Sequence, residues 1–132
     1  MIIVAIDEIT FKKASEVINH LDPKKCMVKI GSISFNSIGH KIVDYASKKG
    51  FDVFLDLKLH DIPNTVAKSV KTLSSLPIKM LTIHTSGGKD MMMASMEAAC
   101  DTDIKIIGVT VLTSLNDADS IDLFKRNASE QV

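Results

Sequence analysis

A carboxylate, a lysine and a second carboxylate fall within one short stretch of the sequence, residues 56–65, which reads DLKLHDIPNT. Side chains alternate along a strand, so Asp56 and Lys58 are expected on the same face. A carboxylate beside a lysine keeps the ammonium group protonated and fixes its direction. A general acid requires both. Lys58 is therefore a candidate proton donor, with Asp56 and Asp61 as acidic neighbours. A purely structural ion pair is the alternative.

Polar side chains also close the other apolar runs of the chain. They are Asp7, Lys29, His84, Thr110 and Thr113. In parallel α/β folds the carboxyl ends of the strands meet at one rim, which carries the active site. We therefore expect a functional site at that rim. His84 either belongs to it or only hydrogen-bonds a loop.

The elements that must position these residues follow from hydrophobic periodicity. Short apolar runs alternate with segments whose apolar residues recur three or four apart, which is typical of β-α units. The predicted strands are residues 2–6, 27–30, 53–55, 80–83 and 106–112. The predicted helices are about residues 11–21, 35–49, 65–76 and 89–99, with a weaker one after residue 120. Gly50 is expected to end the second helix and Asn64 to cap the third.

Composition narrows the class of protein. The chain has 132 residues, with 16 Lys and Arg against 16 Asp and Glu. A net charge of zero gives no overall attraction to nucleic acid or to an anionic membrane, and no apolar run is long enough to span one. Cys26 and Cys100 lack C-x-x-C spacing, so a metal site and a disulfide are both poorly supported and a cytoplasmic location fits best. A small-molecule substrate or a second copy of the chain is the expected partner.

The segment 54–65 resembles the signature of orotidine 5'-monophosphate decarboxylases in its D-x-K-x-x-D-I-P-x-T core. Shorter segments at 4–7, 28–31, 84–88 and 109–114 are similar to the family's first, second, fourth and fifth strand motifs, in the same order. The resemblance implies a parallel (β/α)8 TIM barrel, of which residues 1–132 would form the N-terminal portion of a single domain, about five of eight units. It also implies conversion of orotidine 5'-monophosphate to uridine 5'-monophosphate and carbon dioxide, without a metal or an organic cofactor.

The resemblance further implies a role for each matching residue of the charged network. Lys58 would be the proton donor, and Asp56 and Asp61 would complete an alternating network of charges with Lys29. Asp7 and Lys29 would hold the ribose.

Two further segments receive implied roles. Thr113 or its neighbour Ser114 would meet the pyrimidine. Asp61 and the segment that contains Ile62 and Thr65 would reach into the active site of a partner subunit, so a homodimer with shared sites is implied.

Two alternative functions remain open. The D-x-K-x-x-D pattern also fits a sugar-phosphate decarboxylase or aldolase of the same superfamily, which usually needs a divalent metal. A noncatalytic half-barrel used for binding or assembly is the other alternative.

A closed barrel typically needs about 250 residues. We therefore expect a truncated chain with little or no decarboxylase activity alone, in which Arg126 does not bind phosphate.

Overall fold

A computed structural model describes residues 2–132 and contains one five-stranded parallel sheet in the order β1-β2-β3-β4-β5. The strands are β1 (Ile2–Ile6), β2 (Cys26–Gly31), β3 (Val53–Leu59), β4 (Met80–His84) and β5 (Lys105–Val109). The helices are α1 (Phe11–Asn19), α2 (Ser32–Ile38), α3 (His40–Lys48), α4 (Pro63–Leu73), α5 (Lys89–Ala99), α6 (Asp117–Phe124) and α7 (Ala128–Gln131), with a 3-10 turn at Thr85–Gly87. The alternation of parallel strands and helices confirms the predicted fold class.

The helices cover one face of the sheet. That face presents Ile6, Val28, Ile30, Val53, Leu55, Leu81 and Ile83, which are all almost fully buried in one core cluster. The side chains at alternate positions point to the opposite face, where Ile3 of β1 is 38% exposed and Ile107 of β5 is 36% exposed. The sheet is therefore open, and the polar residue Asp56, next to Leu55, lies on the less covered face.

The single helix predicted at about residues 35–49 is wrong. Two helices, α2 and α3, meet at Gly39, whose φ of 75° and ψ of −158° cannot belong to a helix. Ser34 in α2 is fully buried, donates a hydrogen bond to the carbonyl of Ile6 at 2.7 Å and accepts one from the N–H of Glu8 at 2.9 Å. The early start of α2 thus fixes the chain on both sides of Asp7.

Other boundaries differ from the sequence prediction in ways that bear on the site. β3 continues to Leu59 instead of ending at residue 55, and β5 ends at Val109 because its partner His84 is the last residue of β4. Asn64 does not cap α4, which begins at Pro63 with Ile62 as its N-cap. Gly50 follows α3 with a φ of 90°, as predicted.

Across residues 2–132, none of the helices is both long and apolar enough for a bilayer crossing.

Candidate active site

The centre of the site is Asp56, whose carboxylate binds two lysines. Lys58 Nζ donates to Asp56 Oδ1 at 2.8 Å and to Oδ2 at 2.9 Å, and Lys29 Nζ donates to Oδ2 at 3.2 Å. The Asp56 side chain is only 9% exposed, whereas those of Lys29 and Lys58 are 32% and 36% exposed. Each ammonium group is thus bound to a buried acid, while about a third of each lysine side chain is exposed.

Lys58 lies in an irregular part of β3. The register between β3 and β4 shifts between the pairs Leu55–Leu81 and Leu59–Ile83, so β3 bulges by two residues relative to its neighbour. Lys58 has a φ of 52°, in the left-handed region that non-glycine residues rarely adopt. Such a conformation costs on the order of 1–3 kcal/mol and persists only where neighbouring contacts enforce it. The bulge directs the Lys58 side chain back onto Asp56.

Thr82 is part of this arrangement, although sequence reasoning gave it no role. It lies in the middle of β4, is 2% exposed, and donates from Oγ1 to Asp56 Oδ1 at 2.9 Å. The same oxygen accepts the backbone N–H of Lys58 at 2.8 Å. The only sequence signal for Thr82 was a hydroxyl inside an otherwise apolar strand, on the same face as His84.

The surroundings of Asp56 set its ionisation. Burial acts to raise the pKa of its carboxyl group, but the hydrogen bonds from Lys58, Thr82 and Lys29 outweigh burial and hold the pKa below the ordinary value of 3.8. Asp56 is therefore a carboxylate at neutral pH, and its charge is shared between two ammonium groups.

An open cleft of about 500 Å³ lies against this network. Its lining residues include Lys29, Asp56, Lys58 and Thr82 from the strands, and Thr113 and Ser114 from the loop after β5. Of the predicted site residues, the structure thus brings five together around one cavity: Lys29, Asp56, Lys58, Thr113 and Ser114. Asp7 lies at the end of β1, with its carboxylate oxygen close to Gly31 at the end of β2, outside the cleft lining.

Three predicted residues lie apart from the network within this chain. Asp61 is exposed, and its carboxylate accepts the N–H of Ile62 at 2.7 Å. Ile62 is 66% exposed, and Thr65 lines a separate groove of about 470 Å³ along α4. Among the described residues Asp61 forms no ion pair with a lysine. Its place in the charge network therefore stays a prediction that needs a second subunit.

His84 packs against another histidine at the rim. Its ring centroid lies 5.2 Å from that of His60. Burial lowers the pKa of His84, and the positive charges of His60 and Lys58 lower it further. Gly87 lies against Met91 and His60, since a Cβ at that position would clash with the Met91 side chain and crowd the His60 ring. The lowered pKa favours the neutral form of His84 at neutral pH.

The fold and site together define a class of protein. Five parallel strands in sequence order, each followed by helical structure, form a partial (β/α)8 barrel, and polar side chains converge at its carboxyl-terminal rim. In such barrels that rim holds the active site. The sequence model of the orotidine 5'-phosphate decarboxylase / HUMPS family matches residues 1–132, and the chain belongs to this family.

Individual relatives agree with the family match. The chain is 49% identical over 120 residues to the orotidine 5'-phosphate decarboxylase of Saccharophagus degradans, an alignment that covers 89% of the chain and 50% of that protein. It is 43% identical over 133 residues to that of Laribacter hongkongensis, covering 99% of the chain and 55% of the relative. The crystal structure of orotidine 5'-phosphate decarboxylase from Lactobacillus acidophilus superimposes with a TM-score of 0.88 at 32% identity, covering 99% of this chain and 62% of that one. The chain spans about half the length of the curated relatives it matches.

Proposed function

We propose that this site decarboxylates orotidine 5'-monophosphate to uridine 5'-monophosphate and carbon dioxide, with Lys58 as the proton donor. The observation that carries the proposal is the position of the Lys58 ammonium group, 2.8 Å from the buried Asp56 carboxylate and on the wall of the cleft. Membership of the decarboxylase family supplies the substrate class.

The chemistry asks for a fixed cation beside a ring carbon. When the bond to the carboxylate breaks, its electron pair stays on the ring carbon and carbon dioxide leaves. The Lys58 ammonium group stabilises that negative charge and then transfers a proton to the carbon, which leaves a neutral amine to be reprotonated from water. Asp56 holds Lys58 in the direction of the cleft, so the cation needs little reorganisation as charge develops.

Lys58 alone cannot account for a full enzymatic rate. Enzymes typically lower barriers by about 8–23 kcal/mol, whereas one proton donor contributes about 10²- to 10⁴-fold in rate. The remaining acceleration comes from binding energy at parts of the substrate away from the reacting carbon. Lys29 and Asp7 are proposed to hold the ribose, and Thr113 or Ser114 to meet the pyrimidine. Their support is the family resemblance and, for all except Asp7, a place on the cleft wall.

We also propose a homodimer with shared sites, located in the cytoplasm. Support for the dimer comes from Asp61 and Ile62, which are exposed immediately before α4 and therefore free to reach a second copy. Support for the location comes from the two free cysteines, Cys26 and Cys100, which suit a reducing compartment.

The test compares the chain alone with a chimera in which residues 1–132 replace the matching part of the Saccharophagus degradans decarboxylase. Loss of orotidine 5'-monophosphate absorbance is followed with and without a metal chelator. We expect turnover by the chimera that resists the chelator, and turnover at least about 100-fold lower by the chain alone, whose cleft is open to water.

Two results would contradict the proposed function. A folded chimera without turnover refutes the decarboxylase assignment and favours the half-barrel module. Turnover that the chelator abolishes favours the metal-dependent sugar-phosphate class instead. Circular dichroism of the chimera verifies that it is folded before either result is interpreted.

A further inference from the structure

Thr82 is a buried hydroxyl that binds the two central residues of the site at once. Its Oγ1 accepts the backbone N–H of Lys58 at 2.8 Å and donates to Asp56 Oδ1 at 2.9 Å. A hydroxyl has one proton to donate. Because that proton goes to Asp56, the lone pairs of the same oxygen remain free for the Lys58 N–H, and the two hydrogen bonds define one fixed orientation of the hydroxyl.

The bulge in β3 explains why a side chain is needed here. Where the register shifts between Leu55 and Leu59, the N–H of Lys58 donates to the side chain of Thr82 at 2.8 Å. An N–H held away from water without an acceptor is costly, so the bulge depends on an acceptor for this group. The Thr82 hydroxyl supplies it and thereby holds Lys58 at its positive φ.

We propose that Thr82 is a positioning residue, whose hydroxyl sets the backbone of Lys58 and the carboxylate of Asp56 in one geometry. Its effect on catalysis rests on the proposed function; its effect on geometry does not. Thr82 does line the cleft, yet its hydroxyl is engaged by these two residues and is not free to serve as a catalytic group.

Two substitutions separate positioning from packing. Thr82→Val keeps the shape and removes the hydroxyl, whereas Thr82→Ser keeps the hydroxyl and removes a methyl group. Thr102→Val is the matched control, because the Thr102 hydroxyl likewise donates one hydrogen bond and accepts a backbone N–H. It donates to the carbonyl of Ala99 at 2.8 Å and accepts the N–H of Ile104 at 3.4 Å, away from the cleft.

The measurements on the chain itself are NMR titration of the Asp56 carboxyl group and hydrogen exchange of the Lys58 amide. In Thr82→Val we expect the pKa of Asp56 to rise, because one of the hydrogen bonds that lower it is lost. We expect the Lys58 amide to exchange about tenfold faster, the effect of one lost hydrogen bond. Thr82→Ser and Thr102→Val should retain both wild-type values.

Turnover of the chimera gives the catalytic readout. Thr82→Val should lower kcat by about 10- to 100-fold with little change in KM, since the substrate contacts remain. Thr82→Ser should restore most of that activity.

The outcomes separate this inference from the proposed function. Wild-type Asp56 titration and Lys58 exchange in Thr82→Val would overturn the positioning role, as would a Thr82→Ser variant that behaves like Thr82→Val. If Thr82→Val does not fold, Thr82→Ala is compared with Thr82→Ser in the same measurements. The expected NMR changes together with an inactive unsubstituted chimera would uphold the positioning role and refute the decarboxylase assignment alone.

Discussion

Replacing Lys58 by alanine is expected to lower the turnover of orotidine 5'-monophosphate by the chimera at least about 1,000-fold. The substitution removes both the proposed proton donor, worth about 10²- to 10⁴-fold, and the cation proposed to face the developing charge. Steady-state measurement of kcat and KM is the test, and the loss should lie mainly in kcat because the interaction is made in the transition state.

Lys58→Arg separates the two roles proposed for the lysine. Arginine keeps a positive charge but does not give up a proton under physiological conditions. If proton transfer matters, Lys58→Arg should be nearly as slow as Lys58→Ala. The control is Lys48→Ala, at an exposed position in the last turn of α3, which should stay close to the parent rate. A Lys58→Ala chimera that keeps more than one tenth of the parent activity would refute the assignment of the proton donor.

Replacing Asp56 by asparagine is expected to reduce turnover by about 100-fold or more and to destabilise the chain. Asparagine has nearly the same shape, but two ammonium groups then face an uncharged side chain with no carboxylate to bind. Hydrogen bonds to charged groups contribute about 1.5–3 kcal/mol each, and the partial exposure of Lys29 and Lys58 reduces that contribution. We expect a net loss of about 1–3 kcal/mol in the free energy of unfolding at pH 7, measured with urea.

The pH dependence of that loss follows from the lowered pKa of Asp56. A group whose pKa is lower in the folded state stabilises the fold at pH values above its unfolded value, here 3.8, and that contribution is lost as the pH falls through the folded value. The stability difference between wild type and Asp56→Asn should therefore shrink below about pH 4. Asp44→Asn, at an exposed position in α3, is the matched control and should leave the free energy of unfolding at pH 7 close to the wild-type value. A difference that is constant with pH would contradict the ionised network.

The sequence predicts the fold where hydrophobic periodicity and local geometry agree. All five strands and the helix of residues 89–99 follow from short apolar runs and a helical period. The break at Gly39 could not be predicted from periodicity, because a single glycine inside a helical pattern costs only about 1 kcal/mol and tertiary contacts decide the outcome. Those contacts are the hydrogen bonds of Ser34 to the end of β1, which no local pattern reveals.

The residues of the candidate site likewise divide into those that the sequence predicts and those that only the structure reveals. Lys29, Asp56 and Lys58 could be expected together because neighbouring parallel strands end at one rim. Thr82 could not, since its role depends on a bulge that shifts the register of β3 against β4. The polar Asp56 also suggested that β3 ends at residue 55, whereas a strand can continue past a buried carboxylate that two lysines neutralise.

The central claim is that the Lys58 ammonium group meets negative charge on the pyrimidine ring. Calorimetric titration with 6-hydroxyuridine 5'-monophosphate, which resembles the charged intermediate, tests it most directly when the parent and Lys58→Ala chimeras are compared. We predict that Lys58→Ala weakens binding of this ligand about 100-fold or more, because ligands that resemble the intermediate gain most from groups that act in the transition state. Binding of uridine 5'-monophosphate should change less than about tenfold. Equal affinities of the two chimeras for 6-hydroxyuridine 5'-monophosphate would contradict the account.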